Sequence, residues 1–92
     1  MSDINVVTAK NPYARPLKDT VLKQGDLGDF VAWLQWELRR SYTDLKVNRK
    51  FDYAVKVAVM KYHNSIGIIP DGVAWPNIID SLEERSAGTV KG

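Results

Sequence analysis

The sequence predicts an all-α fold, a compact three-helix bundle that is built from three turn–helix units and preceded by an extended N-terminal leader. Three observations lead to this prediction. Apolar residues recur at helical spacing in three separate segments, and glycine or proline stands at most of their boundaries. The same offsets between turn and helix occur in all three segments.

Length and composition limit the possible classes of protein. A chain of 92 residues with 45% hydrophobic and 26% charged residues is typical of one globular domain. A net charge of +2 is too small to indicate nucleic acid or membrane by itself. The absence of cysteine excludes disulfides and thiolate metal sites. No signal-peptide pattern opens the sequence, and no apolar run reaches the roughly 18 residues of a membrane span.

Both ends of the chain are expected to lie outside the folded domain. Pro12 and Pro16 disfavour a helix, so residues 1–20 are predicted to be a leader or an interdomain linker. Residues 86–92 are small and polar with two glycines, which indicates a flexible tail. The domain is therefore expected to span residues 21–85.

The first helix is predicted from about Asp29 to Ser41. Asp29 places a carboxylate at the positive end of the helix dipole. One stripe at helical period follows it, made of Val31, Leu34, Gln35, Leu38 and Tyr42.

The second helix is predicted from about Tyr53 to Ser65, and Gly67 follows as a C-terminal stop. Its stripe has the same spacing and consists of Val55, Ala58, Val59, Tyr62 and Ile66. The third helix is predicted to begin at Pro76, because proline is favoured in the first turn of a helix. Its apolar residues are Ile78, Ile79 and Leu82.

The three helices follow one repeated pattern. The first stripe residue of each helix lies six positions after a turn residue, in the pairs Gly25 and Val31, Arg49 and Val55, and Gly72 and Ile78. Stacking three such units lets short helices bury apolar faces that none could bury alone.

These motifs resemble the peptidoglycan-binding domain family, the three-helix module found beside amidases, carboxypeptidases and phage endolysins. The opening match is Leu22–Lys23, two glycines three residues apart at Gly25 and Gly28, then Val31 and the Leu34–Gln35 pair. The later matches are Phe51, the Ala58–Val59 pair, the Gly67–Ile68 step, the Asp71–Gly72 turn and Pro76. The resemblance covers about residues 21–82.

Three departures from the family pattern occur in the turns. Asn48–Arg49 stands where the family usually has Asp-Gly, and Asp52 replaces a second glycine. Trp75 replaces the glycine before Pro76. Since glycine permits a positive φ or the close approach of a ligand, these changes bear on ligand specificity more than on fold.

The candidate ligand-binding residues on the first helix are Trp33, Trp36 and Arg40. A helical wheel places Trp33 and Arg40 opposite the core stripe and Trp36 on its flank. Two exposed tryptophans could form an aromatic platform for sugar rings or for a stem peptide. The alternative is that both pack on the leader, on a second domain or on another copy.

The other candidate ligand-binding residues lie in the turns: Asn48, Arg49 and Asp71. Arg49 could bind a carboxylate of a stem peptide or of an acidic wall polymer.

Trp75 is expected to fill the core or a loop. His63, the single histidine, is expected at the surface, and nothing near it in sequence completes a metal site or a catalytic pair, so no cofactor and no catalytic residue is predicted.

The resemblance implies a non-catalytic module that binds bacterial peptidoglycan and targets a lytic enzyme, such as an endolysin or amidase, to the cell wall. Its expected partners are the glycan or the stem peptide and an attached or separate catalytic domain, without a membrane partner. Its expected location is the wall or the extracellular space, with release from the cytoplasm by phage lysis as one route.

One alternative is an interaction domain that docks a protein partner through Trp33 and Trp36. A nucleic-acid binder is disfavoured, although the pI is near 9.0 and a basic loop is present.

Overall fold

The protein is described by a computed structural model that covers residues 10–91, with side chains described for residues 10–85. Within that range the chain forms three α-helices and no β-strand. They are α1 (Asp29–Arg39), α2 (Tyr53–Ser65) and α3 (Pro76–Lys91). The all-α, three-helix fold that the sequence predicts is thereby confirmed. The first nine residues of the expected leader lie outside the described residues.

Each helix begins where the sequence predicts, and two ends differ. The carboxylate of Asp52 caps α2 by accepting a hydrogen bond from the Val55 backbone N–H at 3.2 Å. Helix α1 ends at Arg39, two residues before the expected Ser41. Helix α3 continues to Lys91, through the segment that was expected to be a flexible tail.

The core forms around α1, which packs against both α2 and α3. Most of the stripe residues are buried, whereas Tyr42 is half-buried and Ile66 is 38% exposed; the buried ones are Val31, Leu34, Gln35, Leu38, Val55, Ala58, Val59, Tyr62, Ile78, Ile79 and Leu82. Three residues from the turns, Leu22, Phe51 and Ala74, complete the core. Because turn residues contribute to the core, the position of each turn is fixed by apolar packing as well as by hydrogen bonds.

The three turns have a common backbone conformation. Gly25, Arg49 and Gly72 have φ angles of 101°, 66° and 77° respectively, and each precedes the first residue of its helix by four positions. A positive φ is the conformation for which glycine is favoured, so Arg49 occupies a position that the other two units give to glycine. The sequence repeat therefore corresponds to a repeat in structure.

Backbone hydrogen bonds join the first turn to the other two. Leu22 and Ala74 exchange two hydrogen bonds, at 3.1 and 2.8 Å, and so link the first turn to the third. The N–H of Gly25 donates to the carbonyl of Phe51 at 2.9 Å, and the N–H of Phe51 donates to the carbonyl of Asp26 at 3.0 Å. The turns thus form one hydrogen-bonded layer along which the helices begin.

The described part of the leader packs against the helices. The side-chain amide of Asn11 donates to the Trp33 carbonyl at 3.1 Å and to the Glu37 carboxylate at 2.9 Å. Pro16 is fully buried, and Arg15 forms ion pairs with two carboxylates of α3. Residues 11–16 therefore connect the outer side of α1 to α3.

Candidate functional site

Trp33 belongs to the core, which corrects the expectation that it faces outward. Only 4% of its surface is exposed, and it lies in the same apolar cluster as Leu34 and Leu38. The wheel assumed that α1 has a single buried face, whereas seven of its eleven residues are buried. Trp33 therefore cannot serve as an open platform for a ligand.

Trp36 is half-buried and partly covered by the leader. The ring of Tyr13 meets it edge to face, with 6.4 Å between ring centroids. The guanidinium of Arg39 lies 5.7 Å from the Trp36 ring centroid. Trp36 therefore packs on the leader, as the alternative prediction stated. A platform of two exposed tryptophans is not present.

Arg40 is engaged in a buried ion pair. Its guanidinium lies 3.0 Å from the carboxylate of Glu37, and the two side chains are only 8% and 3% exposed. Asn11 donates a further hydrogen bond to the same carboxylate. Because the loss of either partner would leave the other charge buried and unpaired, Arg40 is committed to Glu37 and is not available to an external anion.

Asn48 is held by the buried side chain of Gln35. The amide oxygen of Gln35 accepts hydrogen bonds from the N–H groups of Asn48 and Arg49, both at 3.0 Å. Its amide nitrogen donates to the Asn48 side-chain oxygen at 2.8 Å and to the Lys50 carbonyl at 2.9 Å. All hydrogen-bonding atoms of Gln35 are thus used to fix the second turn.

Arg49 extends from this turn onto the surface, between the leader and the start of α1. Its guanidinium lies 2.7 Å from the carboxylate of Asp29 and 5.3 Å from the ring centroid of Tyr13. The hydrogen bond that Arg49 donates to the carboxylate of Asp29 raises the pKa of Arg49 above its ordinary value. Tyr13 therefore lies between Arg49 and Trp36, and it brings these two candidate residues onto one surface.

Asp71 occupies in the third turn the position that Asn48 occupies in the second. One carboxylate oxygen accepts the N–H of Val73 at 2.9 Å, just as the Asn48 oxygen accepts the N–H of Lys50 at 3.1 Å. The other oxygen accepts the indole N–H of Trp75 at 2.7 Å. Trp75, which was expected to be a core or loop filler, is 45% exposed in this turn.

His63 is fully buried, which corrects the expectation of a surface histidine. Neither ring nitrogen has a hydrogen-bond partner among the described residues, and Nδ1 lies 3.6 Å from the Asp71 carboxylate, beyond normal hydrogen-bond length. The pKa of Asp71 is lowered, chiefly by its bond to Trp75 and also by the Val73 N–H and by the proximity of His63. His63 thus lies beneath the third turn.

A surface groove follows the loop between α1 and α2, and we call it the Leu45 groove. Two adjoining depressions, of about 280 and 170 Å³, share Asp44, Leu45 and Ala54 in their lining. The first is completed by Tyr42, Val57, Ala58 and Lys61, and the second by Gln35, Lys46, Asn48 and Asp52. Of the residues predicted for the site, only Asn48 lines this groove.

The sequence contains one signal that could have located the groove. Ala54, Val57, Ala58 and Lys61 fall at i, i+3, i+4 and i+7, so they share one face of α2. Of these, only Ala58 belongs to the core stripe, and the remaining three extend that face toward the loop. A second apolar strip beside a core stripe indicates a surface that is partly covered or that binds a partner.

A further depression of about 330 Å³ lies between residues 15–20 and the start of α3, and Arg15, Lys18, Asp19 and Asp80 contribute charges to it.

Among the described residues, no group of three or more His, Cys, Asp or Glu side chains is placed to hold a metal ion. In the same part of the chain, no helix is long and apolar enough to cross a membrane.

Comparison of the chain with family models, with curated proteins and with solved structures gave no match.

Proposed function

We propose that this protein is a non-catalytic module that binds bacterial peptidoglycan and targets an attached or associated lytic enzyme, of the endolysin or amidase kind, to the cell wall. The observation that carries the proposal is the threefold turn. Gly25, Arg49 and Gly72 share the left-handed conformation, and the residues around them resemble the turn pattern of the peptidoglycan-binding domain family.

The hydrogen bonds of Gln35 give this resemblance a physical basis. The Leu-Gln pair is part of the motif, and here Leu34 is fully buried in the core while Gln35 fixes the second turn. The Leu-Gln pair is thus linked to the left-handed turn residue through the hydrogen bond that Gln35 accepts from the Arg49 N–H, so the conformation of this turn depends on the pair. That dependence supports common descent of fold with the family better than the apolar stripes do, since any helical bundle has such stripes.

The candidate binding surface is the Leu45 groove together with the second turn. Gln35 and the cap of α2 hold Asn48 and Asp52 at one end of the groove, so that end is preorganised. A shallow, preorganised groove without a catalytic pair fits a module that binds weakly and acts by raising the local concentration of a tethered enzyme. The expected location is the bacterial wall or the extracellular space, with phage lysis as one route of release.

The test is retention of the purified 92-residue chain on isolated sacculi from Gram-positive and Gram-negative cells, with duplex DNA as competitor. We expect retention that is unaffected by DNA, together with no release of dye from labelled sacculi above a heat-treated control. Chain that stays in the supernatant with both kinds of sacculi would refute wall binding, and dye release would refute the non-catalytic assignment.

A second candidate function is docking of a protein partner, and one observation favours it. The loop after α2 exposes Ile68 and Ile69, 39% and 86% exposed, and Trp75 lies just beyond it at 45%. Exposed apolar residues this close in sequence are typical of contact surfaces. Charged substitution of Ile69 that leaves retention on sacculi unchanged but abolishes binding of an associated lytic enzyme would assign this surface to a protein partner.

A further inference from the structure

We infer that the Leu45 groove binds the stem peptide of peptidoglycan and not its glycan: a short peptide with methyl side chains, a free carboxylate and a free amine. This inference rests on the proposed function and chooses between the two ligands that the sequence left open.

The floor of the groove is suited to small apolar groups. Leu45 lies opposite Ala54, Val57 and Ala58 of α2, and none of these side chains has a polar atom. Such a floor can bury methyl groups, at about 25 cal/mol per Å² of apolar surface removed from water. This part of the groove offers few hydrogen bonds to the hydroxyls of a sugar, and those hydroxyls would lose their water on binding; the polar side chains of Gln35, Asn48 and Asp52 line the other end.

The groove has the length of a short peptide. Along α2 its lining runs from Ala54 to Lys61, which lie seven positions apart, and this separation corresponds to a rise of about 10 Å. An extended chain covers about 3.3–3.6 Å per residue, so about three residues fit this distance. A stem peptide of three to five residues can therefore place at least three of them along the floor.

The rim carries charges of both signs. Asp44 and Lys46 flank Leu45, and their side chains have no hydrogen bond or ion pair with any described residue. Lys61 lies at the far end, with its ammonium 6.0 Å from the Tyr42 ring centroid. A ligand with both a carboxylate and an amine can pair with this rim, whereas a ligand of one sign would meet repulsion from half of it.

The groove lacks the open aromatic face that usually stacks on a sugar ring. Trp33 is buried, Trp36 packs against Tyr13, and Trp75 lies in the third turn, so no tryptophan lines the groove. Tyr42 does line it, but that ring is half-buried beneath Lys61. Apart from this half-buried ring, the groove has no aromatic side chain for stacking, the usual source of affinity for sugar rings.

The experiment is a pair of NMR titrations of the ¹⁵N-labelled 92-residue chain. One uses the tripeptide L-alanyl-γ-D-glutamyl-meso-diaminopimelate, and the other uses a peptide-free glycan of alternating N-acetylglucosamine and N-acetylmuramic acid. We expect the tripeptide to shift the amide signals of Leu45, Asn48, Ala54 and Val57, and the glycan to leave them in place. Glycan-induced shifts at these amides, or tripeptide-induced shifts confined to the third turn around Trp75, would overturn the inference.

Matched variants test the groove itself. Ala54 is exposed on α2, so Ala54→Trp should fill the groove without disturbing the core, and it should weaken tripeptide binding about tenfold or more. Asn64→Trp places the same side chain at an exposed position of α2 outside the groove, and it should bind as the parent does. Lys46→Glu provides a second test that leaves the shape unchanged and removes one cation from the rim. Undiminished tripeptide binding by Ala54→Trp or by Lys46→Glu, with native spectra, would contradict the inference.

The outcomes also separate this inference from the proposed function. If sacculi retain the chain but the tripeptide does not bind, the peptide inference fails and wall binding stands. If sacculi from both kinds of cell fail to retain it, wall binding fails and the inference fails with it.

Discussion

Gln35 and Asn48 form a reciprocal pair of hydrogen bonds across the start of the molecule's second unit. The Gln35 amide nitrogen donates to the Asn48 side-chain oxygen at 2.8 Å, and the Gln35 oxygen accepts the Asn48 backbone N–H at 3.0 Å. Gln35 is 1% exposed, so its side-chain amide depends on these bonds to satisfy its polar atoms. The first helix thereby determines the conformation of the second turn, and that turn forms one end of the Leu45 groove.

Replacing Gln35 by alanine should destabilise the protein by about 2–4 kcal/mol. The change removes all four hydrogen bonds to the second turn, so the backbone groups of Asn48, Arg49 and Lys50 lose the partner that fixes them. Urea unfolding followed by circular dichroism measures the effect. Gln24→Ala is the control, because Gln24 is exposed and should change the free energy of unfolding by no more than about 0.5 kcal/mol. Equal effects of the two substitutions would show that Gln35 does not hold the turn.

At Arg49, glycine should be more stable than alanine by about 1 kcal/mol. Both substitutions remove the ion pair with Asp29, so their difference isolates the cost of a side chain at φ 66°. The comparison requires thermal or urea unfolding of Arg49→Gly and Arg49→Ala under the same conditions. Alanine as stable as glycine would mean that this turn tolerates a different backbone conformation.

The sequence predicted the helices and the core because both depend on local periodicity. The second helix runs from Tyr53 to Ser65 as expected, and Val31, Leu34 and Leu38 are buried as their spacing indicates. The turns were also predictable, because Arg49 lies as many positions before its helix stripe as Gly25 and Gly72 lie before theirs. The spacing between a turn and its helix does not show which side chain binds the turn. The role of Gln35 in fixing the second turn is therefore visible only in the structure.

The rest of the candidate site depends on contacts between distant segments. A helical wheel only distinguishes a buried face of a helix from an exposed one. It could not predict that the segment from Asn11 to Pro16 covers the outer side of α1, or that Trp33 is buried in the core. His63 lies about 80° from Val55 on the wheel of α2, close enough to the core stripe to indicate burial. The polarity of histidine led to the prediction of a surface position. In the structure the third turn covers the His63 side chain.

Trp33→Ala should cost about 3–5 kcal/mol, the range for a large buried side chain. Trp75→Ala is the matched control, because it removes the same side chain from a position that is 45% exposed, and it should cost clearly less. Thermal unfolding of the two variants provides the measurement. A stable Trp33→Ala variant would restore the possibility that this ring is free to bind a ligand.

His63→Leu should leave the free energy of unfolding unchanged within about 1 kcal/mol or raise it. Leucine removes two buried ring nitrogens that have no hydrogen-bond partner among the described residues, while it fills most of the space. His63→Ala is the contrasting variant, and the cavity it leaves should cost about 2–4 kcal/mol. If leucine costs as much as alanine, the histidine ring makes a polar contact that stabilises the third turn.

Asp71→Asn should destabilise the protein near pH 7, by about 1 kcal/mol, and the difference from the parent should shrink as the pH falls below about 4. The Asp71 carboxylate accepts hydrogen bonds through both oxygens, from Trp75 and from Val73, whereas asparagine can accept through one. Since these bonds lower the pKa of Asp71 in the folded state, its contribution is complete above the unfolded pKa and is lost as the pH falls through the folded pKa. The Asp71 side chain is 45% exposed, so solvent screening keeps the effect small.

Urea unfolding at a series of pH values between about 2 and 7 tests this pH dependence. Asp44→Asn is the control, because the Asp44 side chain is exposed and has no partner among the described residues, so that variant should have about the stability of the parent near pH 7. A constant difference between Asp71→Asn and the parent across the whole pH range would mean that shape, and not charge, explains the effect of Asp71 on the third turn.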